Sequence, residues 1–581
     1  MANPTGARTL DDTPPEKLET GHPKGLSVLF ATEMWERFNF YGMRAILTLF
    51  LVNALAFKED VASLVYGGFL GLCYLTTMLG GYVSDRYLGN RNCIVLGGLT
   101  MAAGQLLLFS SASLYATDRD MATTVMWVAL GAVILGNGFF KPNISSMVGQ
   151  LYKPGDNRLD AAFTIFYMGI NLGAFIGNSI CSSVGDVKDV DPLSKVEVRD
   201  VTAFKWGFLA AALAMVLGVA IFLWLRNKYV VTPEGKIVGG KPAYGAVAQK
   251  GEKAQFGLPA IVAALVACLV LAWAFHSPVE GTQPEDSLKN VLDWIYSFIY
   301  ASGIALGGLI LTDKSLVKVE RDRILVIYAV AFFVIFFWSC FEQAGSSLTF
   351  IADNQTDREI LGWTIPPSLV QNANSLFIVI FAFPLSWMWI AMQRRGIEPI
   401  SPVKQALGLV LLSLGFLIIA FQVKDIGTTG KLGVLWLILM YLFHTIGELC
   451  LSPIGLSLVA KLAPKRFASL LMGVWFLANA AGYALAGTLG AALPPTGDKY
   501  AAATNAGIDL AGVLDGKVAL TAEISAKLAE LKISAVYPKF AGFTIHNLYE
   551  FFLLFVALPG IAAILLFLIS PLLKKMMHGV K

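Results

Sequence analysis

Glu33, Glu36, Arg37, Tyr41 and Arg44 fall within one stretch, EMWERFNFYGMR (33–44), flanked by the apolar runs Gly25–Ala31 and Ala45–Val52. At 100° per residue the five share an arc of roughly 140° on one helix, and the strip from 33 to 44 rises about 16 Å. Either glutamate is within reach of Arg37. Such charges cost nothing on a soluble helix, but in hydrocarbon each costs roughly 2.5–3.5 kcal/mol, so they face a paired or water-filled interior and mark a solute or proton route. An internal ion-pair network that only fixes packing is the weaker reading, because buried pairs stabilise poorly compared with apolar packing.

Three more charges lie at membrane depth: Lys141 in GNGFFKPNISSMVG (136–149), Glu342 in FFWSCFEQAGSS (336–347) and Glu448 in HTIGELCLSPIG (444–455). Arg44 and Lys141 belong to the first half of the chain, Glu342 and Glu448 to the second. A cleft between the halves would be positive on one wall and negative on the other. A short zwitterion suits that field, its carboxylate toward Arg44 and Lys141 and its ammonium toward Glu448.

The elements that must carry these residues are membrane helices. Of 581 residues, 56% are hydrophobic and 14% charged, with 38 Phe and 12 Trp; an average soluble domain has about 25% charged residues. The net charge of +4 needs no nucleic-acid partner. Cys73, Cys93, Cys181, Cys268, Cys340 and Cys450 show no ligand spacing and read as small buried hydrophobes, so no metal site is expected. Residues 1–25 lack the plan of a signal peptide and read as a cytoplasmic tail.

Apolar stretches long enough to span number fourteen, near 26–55, 61–85, 93–113, 122–148, 159–184, 203–226, 256–276, 291–312, 323–350, 366–393, 402–422, 432–460, 467–493 and 547–573. Lys and Arg concentrate in the even-numbered loops, such as Arg86 and Arg91, Lys236 to Lys253, and Lys461 to Arg466, while Asp186, Asp189 and Asp191 cluster in an odd one. The chain is thus expected to be multi-pass in the plasma (inner) membrane with both termini cytoplasmic. The expected fold is all-α: a six-helix bundle (26–226), a cytoplasmic linker (227–255), an inserted helix pair (256–312), a second six-helix bundle (313–493 and 547–573) interrupted by an extracytoplasmic loop (494–546), and a short tail (574–581). TAEISAKLAELK (521–532) in that loop reads as an amphipathic helix.

Six plus six spans is the plan of the major facilitator superfamily, whose halves rock around a midplane site. GGYVSDRYLGNR (80–91) resembles that superfamily's loop signature, with Asp85 able to accept from backbone N–H groups and Arg86 and Arg91 left in the cytoplasm. Within it, EMWERFNFYGMR looks like the E-x-x-E-R-F-x-Y-Y element of the proton-dependent oligopeptide transporter family. GNGFFKPNIS and FTIFYMGINLGAFIG (163–177) are similar to its fourth- and fifth-helix signatures, and the stretches around Glu342, Asn374, Glu448 and Trp475 match in order. The likeness covers nearly the whole chain. It implies proton-coupled import of di- and tripeptides by a monomer, with no cofactor beyond the proton gradient. Arg44 and Lys141 correspond to the pair that binds the peptide carboxylate, and Glu448 to the acid that receives the amino group. Asn171 and Asn374 match amides that hold the peptide; Tyr41, Tyr74, Trp338, Trp475 and Phe476 match cavity positions, and Ser452 counts among the same set. Glu33, Glu36 and Glu342, with Arg37, match the proton-coupling group, Glu342 being able to pair with Arg44 when no peptide is bound.

Three positions depart from the family. Phe40 replaces the first Tyr of a pair, Ser375 a usual Pro, and Gly67 stands where animal members carry a functional His, so the carboxylates must suffice for coupling. His444 reads as a packing residue. The nearest rival keeps the fold and carries nitrate, against which Glu448 argues. No HExxH, GxGD or GxSxG element occurs at membrane depth, which disfavours an intramembrane enzyme, and isolated polar positions rather than rings disfavour a channel.

Overall fold

A computed structural model describes residues 21–153, 156, 158–190, 197–232, 235–240, 256–279 and 284–580. Most of the expected N-terminal tail, much of the linker, and Asp191, Lys241, Lys250 and Lys253 lie outside the described residues. The chain is a sequence of long helices: α1 (Lys24–Asn53), α2 (Glu59–Val83), α3 (Asn90–Leu114), α4 (Arg119–Gln150), α5 (Leu159–Gly185), α6 (Phe204–Tyr229), α7 (Leu258–Phe275), α8 (Pro284–Leu311) and α9 (Lys318–Phe341). After a short α10 (Ser347–Asn354) come α11 (Asn372–Arg394), α12 (Ser401–Val423), α13 (Val434–Leu462) and α14 (Ala468–Gly490). Three short helices, α15 (Gly497–Asn505), α16 (Leu510–Leu514) and α17 (Ala522–Glu530), precede the last long one, α18 (Leu548–Met576). Among the described residues, thirteen helical spans are long and apolar enough to cross a membrane. α1 is equally long but its polar strip keeps it out of that set.

The packing repeats between halves. α1 lies against α5 and α6, α3 against α4 and α6, and α2 against α4; in the second half α9 lies against α14 and α18, α12 against α13 and α18, and α11 against α13. Each pair in one half thus has its counterpart six spans on once the inserted α7 and α8 are set aside, and each half has its own apolar core. The halves meet along α2 with α14 and α5 with α11, which are again counterparts. One face carries both chain ends, here the terminal face; the other is the distal face.

Local sequence explains where the site's elements bend. Pro142 follows Lys141 inside α4 and leaves the Gly138 carbonyl without its helical donor. Gly80 of α2 packs directly on that carbonyl, and a side chain there would collide with it. The expected single span over 323–350 is in fact broken: α9 stops at Phe341, Glu342–Gly345 forms a tight turn, and α10 resumes at Ser347. Gly345-Ser346-Ser347 supplies the interruption. The freed groups are met by protein, since Thr48 donates to the Gly345 carbonyl (3.0 Å) and the Gln343 amide donates to Ser339 O (2.9 Å) and Ala486 O (3.0 Å). Irregular backbone survives at this depth only with such partners.

Arg91 corrects an expectation. It is not a free loop cation but buried, its guanidinium donating to Val238 O (2.6 Å), Arg226 O (2.9 Å), Asn227 Oδ1 (2.9 Å) and Val230 O, so it caps the carbonyl end of α6. Asp85 is exposed. The 494–546 segment forms a small apolar cluster of its own around Ala503, Leu510 and Leu528, and α17 matches the expected amphipathic helix. His444 is buried and packs between Phe416 and Tyr441 in the core of the second half.

Candidate functional site

Between the halves lies a cavity of about 60 Å³, lined from the first half by Arg37, Phe40, Tyr41, Arg44, Leu70, Tyr74, Asn171 and Ala174. The second half contributes Trp338, Phe341, Glu342, Asn374, Ser375, Ile378, Glu448 and Tyr483. Arg44 reaches across, its Nη1 donating to Glu342 Oε2 (2.8 Å) and Oε1 (3.0 Å). The Tyr66 hydroxyl donates to the same carboxylate (3.3 Å). Arg44 also lies 4.7 Å from the centre of the Tyr41 ring, and its Nε has no partner. The pair is buried and joins the two halves at the cavity's distal end.

On the same strip Arg37 Nε sits 2.9 Å from Glu33 Oε1 and 2.5 Å from Glu36 Oε2. Asn137 donates to the other Glu36 oxygen (3.4 Å). Two buried carboxylates therefore share one guanidinium, and Glu33 Oε2 and Arg37 Nη2 are left without hydrogen bonds. Opposite, the Asn374 amide donates to Glu448 Oε2 (3.1 Å) and to Thr445 Oγ1 (3.0 Å). Lys141 Nζ lies over the Tyr74 ring, 3.5 Å from its centre, and Tyr74 in turn packs against Tyr483 (4.8 Å) and Phe476 (6.2 Å).

Of the residues singled out in the sequence, the cavity brings together Arg37, Tyr41, Arg44, Tyr74, Asn171, Trp338, Glu342, Asn374 and Glu448. Glu33 and Glu36 adjoin it through Arg37, and Lys141 and Phe476 through Tyr74. Asn171 spends its amide on Tyr167 O (2.9 Å). Trp475 and Ser452 do not line it. Trp475 is buried against Gly455 of α13, where it forms the wall between helices, and the Ser452 hydroxyl is buried without a partner. Phe40 stacks on Phe69 (6.1 Å), which explains how the wall tolerates loss of a hydroxyl there. Tyr66 and Tyr483 were missed. Tyr66, Leu70 and Tyr74 are spaced four apart on α2, and Tyr483 follows Phe476 by two turns, so helical spacing alone could have found both.

Beyond Arg44–Glu342, the polar contacts between halves among the described residues continue to the distal surface. Asn372 donates to Ser179 Oγ (2.8 Å) and Asn354 to Glu59 (3.2 Å). At the rim, strands β1 (Lys188–Val190) and β2 (Glu197–Arg199) form a hairpin. Lys188 (2.5 Å) and Arg199 (2.7 Å) both bind Asp353 of the second half, Arg199 also binds Asp186, and Arg358 of the second half binds Glu197. The distal mouth is therefore closed by a charged latch. Burial pushes the Glu197 carboxyl up, but Arg358 and Lys188 outweigh it and hold it below its ordinary value. A depressed carboxylate contributes closure above its ordinary range, around pH 4.3, and loses it only as pH falls through the depressed value. Spin labels on Val198 and Leu361, both exposed, should therefore show an unchanged distance from pH 8 to 5 and broaden only at stronger acidity. A transition near pH 6 would contradict this origin of closure.

The POT family model matches residues 91–493. The peptide transporter YePEPT of Yersinia enterocolitica subsp. palearctica is 33% identical over 83% of this chain and 90% of its own length. A di-/tripeptide transporter of Lactococcus lactis subsp. cremoris is 32% identical over 81% of this chain and 89% of its own. Among solved structures, a peptide transporter POT in complex with sulfate superposes with a TM-score of 0.70 at 28% identity, covering 97% of each chain.

Proposed function

Since this chain belongs to the POT family of peptide transporters, and is a transporter rather than an enzyme, we propose that it is a proton-coupled symporter importing di- and tripeptides by alternating access. The observation that carries the reading is the cavity's opposed charge: Arg44, with Lys141 one aromatic ring away, on the first half, and Glu448 with Asn374 on the second. A peptide's carboxylate binds on the first wall and its ammonium on the second. Tyr41, Asn171 and Trp338 surround the backbone and side chains. One relative is named a peptide transporter and another a di-/tripeptide transporter, which supports that class of cargo. Both walls come from one chain, so a monomer suffices, and the proton gradient drives it without a cofactor.

Coupling follows from Arg44 and Glu342. With the cavity empty they neutralise one another and hold the distal side shut. An incoming carboxylate competes for Arg44, and Glu342, losing its counter-charge in a desolvated setting, takes a proton. Peptide and proton thus favour one another, the bridge parts, and the loaded halves can move. The Glu33–Arg37–Glu36 cluster sets two buried carboxylates on one guanidinium with Lys141 as the next cation, and serves as a second resting place for a proton near the terminal face when those contacts rearrange. Among the described residues, the even-loop cations such as Arg86, Arg91, Lys236, Lys461 and Arg466 belong to connections on the terminal face, which supports an inner-membrane orientation with both ends in the cytoplasm.

Glu448→Gln tests the amino-group assignment. A charge-assisted hydrogen bond is worth about 1.5–3 kcal/mol, so dialanine should bind roughly 10- to 100-fold more weakly while its analogue lacking the amino group changes little. An unchanged ranking of the two ligands in competition assays would sink the assignment. Nitrate should fail to compete with dialanine in vesicles; effective competition would favour an anion carrier on the same fold.

A further inference from the structure

The inserted pair α7 and α8 stands outside both bundles, and the proposed transport cycle makes no use of it. α7 turns nearly all its side chains outward, Leu265, Leu269 and Trp273 among them. α8 does not. It lies along the seam where α2 of the first half meets α14 of the second, and it touches both.

Its two ends are fastened differently. Toward the distal face, Lys289 binds Asp60 (2.6 Å), Glu285 binds Lys58 (2.7 Å), and the Tyr296 hydroxyl donates to the Leu64 carbonyl (2.6 Å), all in or beside the first turns of α2. Ile299 packs between Gly71 of α2 and the small-residue surface Ala480, Ala481 and Ala484 of α14; beyond it, toward the terminal face, Gly303 meets Leu477 of α14 and Tyr328 of α9 donates to the Gly307 carbonyl (2.9 Å). The root of α8 is therefore in the second half and its hooks are in the first. Tyr296 sits at the crossing itself. Gly67 and Gly487 let α2 and α14 touch there, a Cβ on Gly67 falling 2.7 Å from the Gly487 Cα, and a Cβ on either glycine would crowd the Tyr296 hydroxyl. Absence of a side chain at Gly67 thus serves both the seam and the hook.

We propose that the inserted pair is a strap: α8, rooted on α9 and α14, hooks the distal end of α2 and holds the distal mouth shut. The inference rests on the alternating-access reading above. Parting α2 from α14 on the distal side must carry Asp60, Lys58 and Leu64 away from a helix that stays with the other half. The strap therefore lets go once per cycle, and its hooks tune how often the distal side opens without touching the peptide cavity.

Two experiments on the full chain in proteoliposomes decide it. In D60C/K289C, a bifunctional methanethiosulfonate reagent that ties α8 to α2 should cut dialanine uptake at least tenfold, with recovery on reduction, while each single-cysteine variant treated alike keeps its rate. Undiminished uptake by the linked protein would overturn the strap. Conversely, Y296F/K289A should shift the distance distribution between spin labels at Val198 and Leu361 toward longer, distal-open values. An unaltered distribution would equally overturn it. If the untreated protein moves no peptide, the transport reading fails, and the spin-label comparison still judges the strap on its own.

Discussion

Arg44→Ala should abolish both peptide exchange and gradient-driven uptake. Arg44 is buried, bonds both oxygens of Glu342 and faces the cavity beside Tyr41. Removing it takes away the group assigned to the peptide carboxylate and leaves Glu342 charged and unpaired, or obliges it to hold a proton permanently. Breaking one side of a buried pair costs about 3–5 kcal/mol, which corresponds to a loss of at least 100-fold in whichever step needs the pair. Arg44→Lys should rescue only in part: one ammonium can meet both Glu342 oxygens as the single Nη1 does, but it loses the planar guanidinium over the Tyr41 ring. Counterflow of labelled dialanine measures exchange. Retention of wild-type counterflow by Arg44→Ala would remove Arg44 from the binding site.

Glu342→Gln should separate what Arg44→Ala destroys together. The amide keeps the shape of the turn at Glu342–Gly345 and can still accept from Arg44, so the halves still close. What it cannot do is exchange a proton. Counterflow should stay within about threefold of wild type, whereas accumulation should collapse. With one proton per peptide and a gradient of one pH unit, worth about 1.36 kcal/mol, the wild type can concentrate peptide about tenfold and Glu342→Gln should reach no more than equality. Equal loss of exchange and accumulation would assign Glu342 to folding or binding instead of coupling.

The parts of this site that depend on one helix were legible in the residues. Glu33, Glu36, Arg37, Tyr41 and Arg44 lie on one face because α-helical geometry leaves no alternative, whereas the bridge from Arg44 to Glu342 was implied by the family resemblance. What escaped depends on contacts between distant segments. Arg91 looked like a loop cation because its partners, from Arg226 to Val238, lie some hundred and forty residues further on. Trp475 looked like a cavity residue, yet Gly455 of α13 leaves a notch that its ring fills. The break at Glu342 was signalled by Gly345-Ser346-Ser347 but hidden within a long apolar run, and it is the break that turns the carboxylate toward Arg44. The latch and the α8 hooks join charged loops and an inserted helix, where periodicity carries no information about partners.

The most direct test of the central claim is uptake by the purified chain in liposomes with a proton gradient, acid outside. Labelled di- and tripeptides should accumulate above the external concentration, an uncoupler should abolish the accumulation, and an excess of unlabelled peptide should saturate it. Uptake that merely equilibrates, indifferent to the gradient and to the uncoupler, would contradict proton coupling through Arg44 and Glu342.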